Sequence, residues 1–158
     1  MDKRRLRTAL GRFATGVTIV STVDEGGQWA GLTVSSFSSL SLEPPLVLWS
    51  LRLESPNLAA FEHSPCFAVN VLGESQIGLS RRFASSQEHR FAEGEWVLGA
   101  HGAPVLNDAV AVFECETVTR QDTGDHRLYI GRVLHFTEHA HAPLLYRSGH
   151  YHQLGDVI

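Results

Sequence analysis

Strand-forming runs recur along this chain from about residue 17 to residue 138, with only three short helical patterns among them and no regular alternation of strand and helix. A parallel sheet needs a crossover, usually a helix, after each strand, so this order favours antiparallel pairing. Val17-Thr18-Ile19-Val20-Ser21-Thr22-Val23 is β-branched almost throughout. Gly26-Gly27 then turns the chain into a second strand, from about Trp29 to Ser36. Leu46–Leu51, entered through Pro44-Pro45, and Cys66–Leu72 supply two more. Two long strands, about Ala109–Gln121 and Arg127–Glu138, are joined at Asp122-Thr123-Gly124-Asp125-His126. About seven strands with short helices point to an antiparallel β-barrel with helical decorations, although the pattern alone does not separate a barrel from a sandwich. No G-x-G-x-x-G opens a helix after a strand, which argues against a Rossmann fold.

The helical patterns are brief. Leu6, Leu10 and Phe13 recur at helical spacing, with Arg4, Arg5, Arg7 and Arg12 on the polar face. Ser55-Pro56-Asn57 reads as a helix start, with Ser55 as N-cap, Pro56 in the first helical position, and Leu58 and Phe61 on the apolar side. A third helix is expected near Ser75–Ala84, with Ile77, Leu79 and Phe83 as its apolar residues. The polar, glycine-rich stretch Ser85–Pro104 reads as a surface excursion, and the tail is expected to end irregularly at Ser148–Tyr151. With 158 residues and no linker, repeat or low-complexity tract, the chain is expected to form one domain, 1–158.

Charge narrows the function classes. The net charge is -4 and 12 of the 13 basic residues are arginine, a balance that argues against nucleic-acid binding. No apolar run approaches the roughly 20 residues of a membrane-spanning helix. The basic N-terminus lacks the apolar stretch of a signal peptide, so the chain is expected in the cytoplasm. Cys66 and Cys115 form no C-x-x-C pair and read as buried free thiols, with a redox or metal role as the alternative.

Three segments could carry chemistry. In Thr33-Val34-Ser35-Ser36-Phe37-Ser38-Ser39-Leu40-Ser41, strand alternation puts Thr33 and Ser35 on one face. Small hydroxyls there leave room for a flat ligand, unless the segment is a solvated edge running into a serine-rich loop. Ser55-Pro56-Asn57 could present a helix N-terminus to a phosphate, with Arg81 and Arg82 in reach, or could be an ordinary cap. His126 could donate a hydrogen bond or stack on a planar ring, or could be a plain turn residue. His139, His141, His150 and His152 lack the acidic or cysteine partners of a persuasive metal site. There is no G-x-S-x-G, H-E-x-x-H or Walker A motif to support a hydrolase or NTPase.

Taken in order, Arg12-Phe13-Ala14-Thr15-Gly16-Val17-Thr18, the stretch from Gly31 to Pro45, Ser55-Pro56-Asn57, Phe67–Leu72, Arg82-Phe83-Ala84 and Gly124-Asp125-His126 resemble the flavin reductase-like family. The match runs nearly the whole chain, to Tyr151. The resemblance implies a mainly β fold, the antiparallel FMN-binding split barrel, and an NAD(P)H-dependent flavin reductase acting on FMN or FAD. It looks closest to short-chain reductases that supply a separate monooxygenase. It further implies a homodimer with the flavin near the subunit interface. By the same resemblance Thr33, Val34, Ser35, Ser36, Ser39, Leu40 and Ser41 would line the flavin ring. Ser55, Asn57 and Arg82 would hold the phosphate end, with Phe83 beside them. His126 and Tyr151 would face the nicotinamide of NADH or NADPH. No catalytic acid or base is expected, because hydride passes directly between stacked rings. The alternative is an FMN-binding flavoprotein or electron carrier without nicotinamide-dependent turnover. Around Glu88-His89-Arg90-Phe91 many relatives carry an acidic–lysine pair before the phenylalanine, so cofactor preference is not carried across this loop.

Overall fold

The computed structural model describes all residues, 1–158. Its centre is a seven-stranded antiparallel sheet in the order β3-β2-β6-β9-β10-β5-β4. The strands are β2 (Thr18–Val23), β3 (Trp29–Val34), β4 (Ser38–Leu42), β5 (Pro45–Arg52), β6 (Cys66–Val71), β9 (Ala111–Thr123) and β10 (His126–Glu138). The sheet curls until its first strand comes back near β5. There the Ser36 hydroxyl donates to the Ser50 carbonyl and accepts from the Ser50 N–H, each at 3.0 Å. One serine side chain thus fastens the seam of a partly closed barrel.

Two cores flank the sheet, and β2 serves both. Ile19 packs with Val17, Ala68, Leu72, Leu79, Phe83 and Trp96 beneath helix α3 (Ile77–Ala84). Val20 packs inside the barrel with Val47, Trp49, Phe61, Phe67, Val69 and Tyr129. Burial on both faces explains why β2 is β-branched almost throughout rather than alternating with polar residues. Its buried polar groups are satisfied across strands. Asn70 Nδ2 donates to the Ile19 carbonyl and to Ser21 Oγ, while its Oδ1 accepts from the Leu106 N–H. Ser21 donates to the Pro104 carbonyl at 2.6 Å, and Thr22 to the Cys66 carbonyl at 2.7 Å. Gly131 lies opposite a bulge in β9, and a Cβ there would run into the Phe67 ring, so the close crossing requires glycine.

Several expectations are corrected. Helix α1 (Lys3–Leu10) forms with Asp2 as N-cap, but none of its residues is buried, and Phe13 beyond it is 79% exposed. The serine-rich segment expected as a loop is the edge strand β4, paired with β5. Serine is a poor strand signal, and pairing with a strong neighbour overrides it. The second helix, α2 (Leu58–Glu62), starts later than expected and is capped by Asn57 without a side-chain bond. Ser55 instead closes a turn in front of it, accepting the Asn57 N–H at 3.2 Å. The excursion 85–104 contributes Trp96 and Ala103 to the core and forms a hairpin with β7 (Trp96–Leu98) and β8 (Pro104–Leu106). The tail is also regular. β11 (Leu145–Arg147) and β12 (His150–His152) pair through Ser148-Gly149, both at positive φ, and β1 (Thr15–Gly16) pairs with β11. The turn between β9 and β10 is tighter than read, with only Gly124 and Asp125 outside the strands.

Cys66 and Cys115 are free, and burial pushes the Cys115 thiol up to about 12, which leaves it unreactive near neutrality. No group of three or more His, Cys, Asp or Glu side chains is placed to hold a metal ion. No helix is long and apolar enough to cross a membrane.

Candidate functional site

The ends of β3 and β5 and the start of β10 enclose a cavity of about 290 Å³, lined by Leu32–Ser36, Ser50–Arg52, Ser55 and His126. Register explains the meeting: β10 pairs with β5, setting His126 opposite Arg52, and the Ser36 clasp brings β3 against Ser50. The hydroxyls are not equivalent. Thr33 donates to the Ser80 carbonyl at 2.6 Å and Ser36 is spent on Ser50, so both are occupied by the fold. Ser35 is exposed and unbonded within the protein, and Ser55 keeps its own proton free while accepting from Asn57. The cavity therefore offers small donors, backbone and an apolar floor from Leu32 and Val34, as a flat polar-edged ring requires.

His126 borders this cavity, with Nδ1 2.7 Å from the Asp125 carboxylate. That contact orients the ring and holds the Asp125 carboxyl below its ordinary range, chiefly through the hydrogen bond. Tyr151 lies elsewhere. With Tyr146, Val17, Ser80 and Ala84 it lines a smaller cavity of about 200 Å³ that shares Thr33, Val34 and Ser35 with the first. The Thr33–Ser35 backbone is thus a septum, with His126 on one side and Tyr151 on the other. Tyr151 is fixed there by Ser80 Oγ at 2.7 Å and by the Arg81 guanidinium 5.6 Å above its ring.

Around Ser55-Pro56-Asn57 the two nearby arginines are placed differently from one another. Helix α2 has only five residues, so it supplies little dipole to a phosphate. Arg82 is engaged by Glu95, at 2.5 Å for its shorter contact, and also donates to the Arg90 carbonyl at 3.4 Å. Arg90 instead reaches the Ser55-Pro56-Asn57 segment, donating to Asn57 Oδ1 at 3.3 Å. It is half-buried over the Phe83 ring, makes no ion pair, and its pKa is lowered by that burial. A guanidinium in this state favours an incoming anion. Phe83 is 1% exposed with its ring in the core, so it supports Arg90 from beneath.

Among the expected residues, the structure gathers Thr33, Val34, Ser35, Ser36, Ser55 and His126 around one cavity and bonds the Asn57 N–H to Ser55. Ser39, Leu40 and Ser41 lie on the edge strand β4 and line neither cavity. Sequence reasoning missed Ser50, Arg52 and Ser80. It noticed Arg90 only as a departure from relatives. Ser80 carried a readable signal, since Leu79 and Phe83 turn inward and Ser80 and Ala84 follow them one position on around α3.

A family model described as flavin reductase like domain matches residues 10–155. A protein named "Probable flavin reductase" from Rhizobium meliloti (strain 1021) is 43% identical over 95% of this chain and 48% of its own length. The chain therefore spans about half of that curated relative. A protein named "Flavin-dependent monooxygenase, reductase subunit HsaB" from Rhodococcus jostii (strain RHA1) is 42% identical over 96% of this chain and 77% of its own. Among solved structures, the Streptomyces globisporus C-1027 NADH:FAD oxidoreductase SgcE6 in complex with NAD and FAD fragments superposes with a TM-score of 0.91 at 35% identity. That superposition covers 98% of this chain and 93% of the other.

Proposed function

Because this chain belongs to the flavin reductase-like domain family, we propose that it is an NAD(P)H-dependent reductase of FMN or FAD. The observation that carries the reading is the cavity between β3, β5 and β10, hydroxyl-lined within and linked through Ser55 and Asn57 to the uncompensated Arg90. Those residues suit a flat ring with a phosphate tail. When bound, the flavin supplies the hydride-accepting centre and the reduced nicotinamide supplies the hydride.

Each side chain then has a bounded task. Val34 and Leu32 give the ring an apolar floor, while Ser35 and the Thr33–Ser36 backbone meet its polar edge. Ser55, Asn57 and Arg90 hold the phosphate. Arg82, tied to Glu95 and to the Arg90 carbonyl, positions the segment that bears Arg90. His126, oriented by Asp125, places the nicotinamide, and no residue need deliver a proton for hydride transfer itself. Tyr151 shapes the septum from behind.

A homodimer belongs to this reading. Leu6, Leu10 and Phe13 around α1, Leu42 on β4 and Phe136 on β10 are exposed apolar side chains that a second copy would cover. Ser39–Ser41 lies on the same edge strand as Leu42, so these residues would approach the flavin from the subunit contact. A monooxygenase that consumes the reduced flavin is the partner supported by the name of the Rhodococcus relative. A cytoplasmic location, where reduced nicotinamide is supplied, completes the proposal.

The test is steady-state oxidation of NADH and NADPH with added FMN or FAD, alongside a flavin titration. Flavin-dependent turnover with binding near one flavin per subunit is expected. Flavin binding without turnover would make the protein a carrier, and no binding at micromolar protein would remove the reading.

A further inference from the structure

Charge is unevenly placed along this chain. Residues 1–13 hold five of the 13 basic side chains and one of the 17 acidic ones, so the remainder carries eight against sixteen. The one acid of that segment, Asp2, is spent capping α1. Arg4, Arg5, Thr8 and Arg12 stand at helical spacing around a hollow of about 320 Å³. None of Arg4, Arg5, Arg7 and Arg12 enters an ion pair. An eight-residue helix with nothing buried is marginal in water by itself, so α1 calls for a surface to cover it.

A groove of the opposite sign exists elsewhere on the same chain. It encloses about 730 Å³ between residues 73–76, Gly94-Glu95, Asp108 and residues 140–142. Glu74 and Asp108 make no ion pair there, Glu95 holds Arg82, and the rim has no lysine or arginine, only His141. Ala142 closes this groove, and Ser148, at the turn after β11, donates from its N–H and Oγ to the Gly11 carbonyl at the end of α1. Six residues of chain span at most about 20 Å, so groove and helix stand toward opposite ends of the small β1-β11-β12 sheet. Within one chain they do not meet, since every side chain of α1 stays exposed. A two-fold axis across that sheet would set each α1 over the other copy's groove, a contact that closes on itself. We infer that the arginine face of α1 docks reciprocally in the acidic groove of a second copy. The inference rests on the homodimer reading and names its contacts. Guanidinium forks suit the Glu74 and Asp108 carboxylates, and Leu6, Leu10 and Phe13 continue the contact with apolar surface. A second copy is the one partner certain to carry this groove wherever the chain is present. Ser148 belongs to the hairpin of Tyr146 and Tyr151, so the contact also braces the septum of the candidate site.

Two charge-reversed forms of the full chain test this by sedimentation velocity. Arg4→Glu/Arg5→Glu/Arg12→Glu is acidic on both faces, and Glu74→Arg/Asp108→Arg is basic on both. Each alone opposes like charges and should dimerise at least about tenfold more weakly than the parent. Mixed in equal amounts, the two forms meet opposite charge at both contacts and should recover most of the parental affinity. Misfolding of either form cannot produce such recovery. Arg4→Gln/Arg5→Gln, at two exposed positions, should weaken the dimer severalfold and serves if a reversed form fails to fold. Added salt should loosen the parental dimer as well. Parental dimerisation by both reversed forms, or loss in each without recovery in the mixture, overturns the inference. A parent that stays monomeric defeats the homodimer reading too, whereas a parental dimer indifferent to all these changes defeats this inference alone.

Discussion

The sheet that lines the hydroxyl-rich cavity and the arginine-bearing loop linked to it through Asn57 are held in opposite ways. On the sheet side, polar side chains are consumed by the fold: Thr33 binds the Ser80 carbonyl and Ser36 clasps Ser50. On the loop side, the Glu95–Arg82 pair carries the structural role, and Arg90 is left half-buried without a counter-ion. The sheet wall fixes shape, and the loop wall supplies charge. Arginines eight residues apart thus have different roles, because only Arg82 meets a carboxylate. Substitutions that separate shape from charge will break this contrast or sharpen it.

The largest effect is expected at Arg90. Arg90→Ala should weaken FMN binding by about 1.5–3 kcal/mol, the range for a hydrogen bond to a charged group, and should spare riboflavin, which lacks the phosphate. Parallel flavin titrations check this, and equal losses for the two ligands would assign Arg90 to shape instead. Ser36→Ala should act on the other wall, leaving the Ser50 N–H and carbonyl without their partner at a cost of about 1–2 kcal/mol. Urea denaturation would show it as a lowered midpoint at unchanged slope.

Arg82→Ala is the sharper comparison although its effect is smaller. Its pair with Glu95 is about one-third exposed, so the stability loss should be about 1 kcal/mol or less. FMN should weaken by less than with Arg90→Ala and riboflavin should be spared, since Arg82 acts only by holding the Arg90 carbonyl. An FMN loss as large as that of Arg90→Ala would return the phosphate to Arg82. His126→Ala should change least in binding. FMN affinity and the denaturation midpoint are expected to hold, while the rate of flavin reduction by NAD(P)H falls through a higher KM, a lower kcat or both. Parental kinetics with both nicotinamides would make His126 a turn residue only.

Legibility followed the strength of local signals. β2, β5, β6, β9 and β10 are rich in branched and aromatic residues and stand close to where the sequence put them. β4 escaped because Ser38-Ser39-Leu40-Ser41-Leu42 has no strand pattern of its own and is defined by its pairing with β5. β7 and β8, three residues each, are too short to show a period. The hydroxyl-rich segment and His126 could be singled out from the sequence, since their types and spacing are local, and they line one cavity. The pairing of the arginines was not legible. Glu95 lies 13 residues beyond Arg82, and no local rule tells which arginine it will neutralise. Tyr151 was legible as a residue of interest but not as the far face of a septum, because strand pairing across the chain places it there.

The double burial of β2 has a consequence for fidelity. A strand with one wet face has its alignment dictated by solvent, because sliding by one residue would drive its apolar set into water. β2 has no such referee: Thr18 through Thr22 are all buried, so a slipped pairing would still bury a similar mixture. What distinguishes the correct alignment is stereochemical address. Only in the observed pairing does Asn70 meet the Ile19 carbonyl, Ser21 and the Leu106 N–H together, while Ser21 finds Pro104 and Thr22 finds Cys66. In any neighbouring alignment those groups would be sealed from water with nothing to bond. The buried polar side chains of β2 and β6 act as a key that fits one lock, rejecting wrong pairings more than they strengthen the right one.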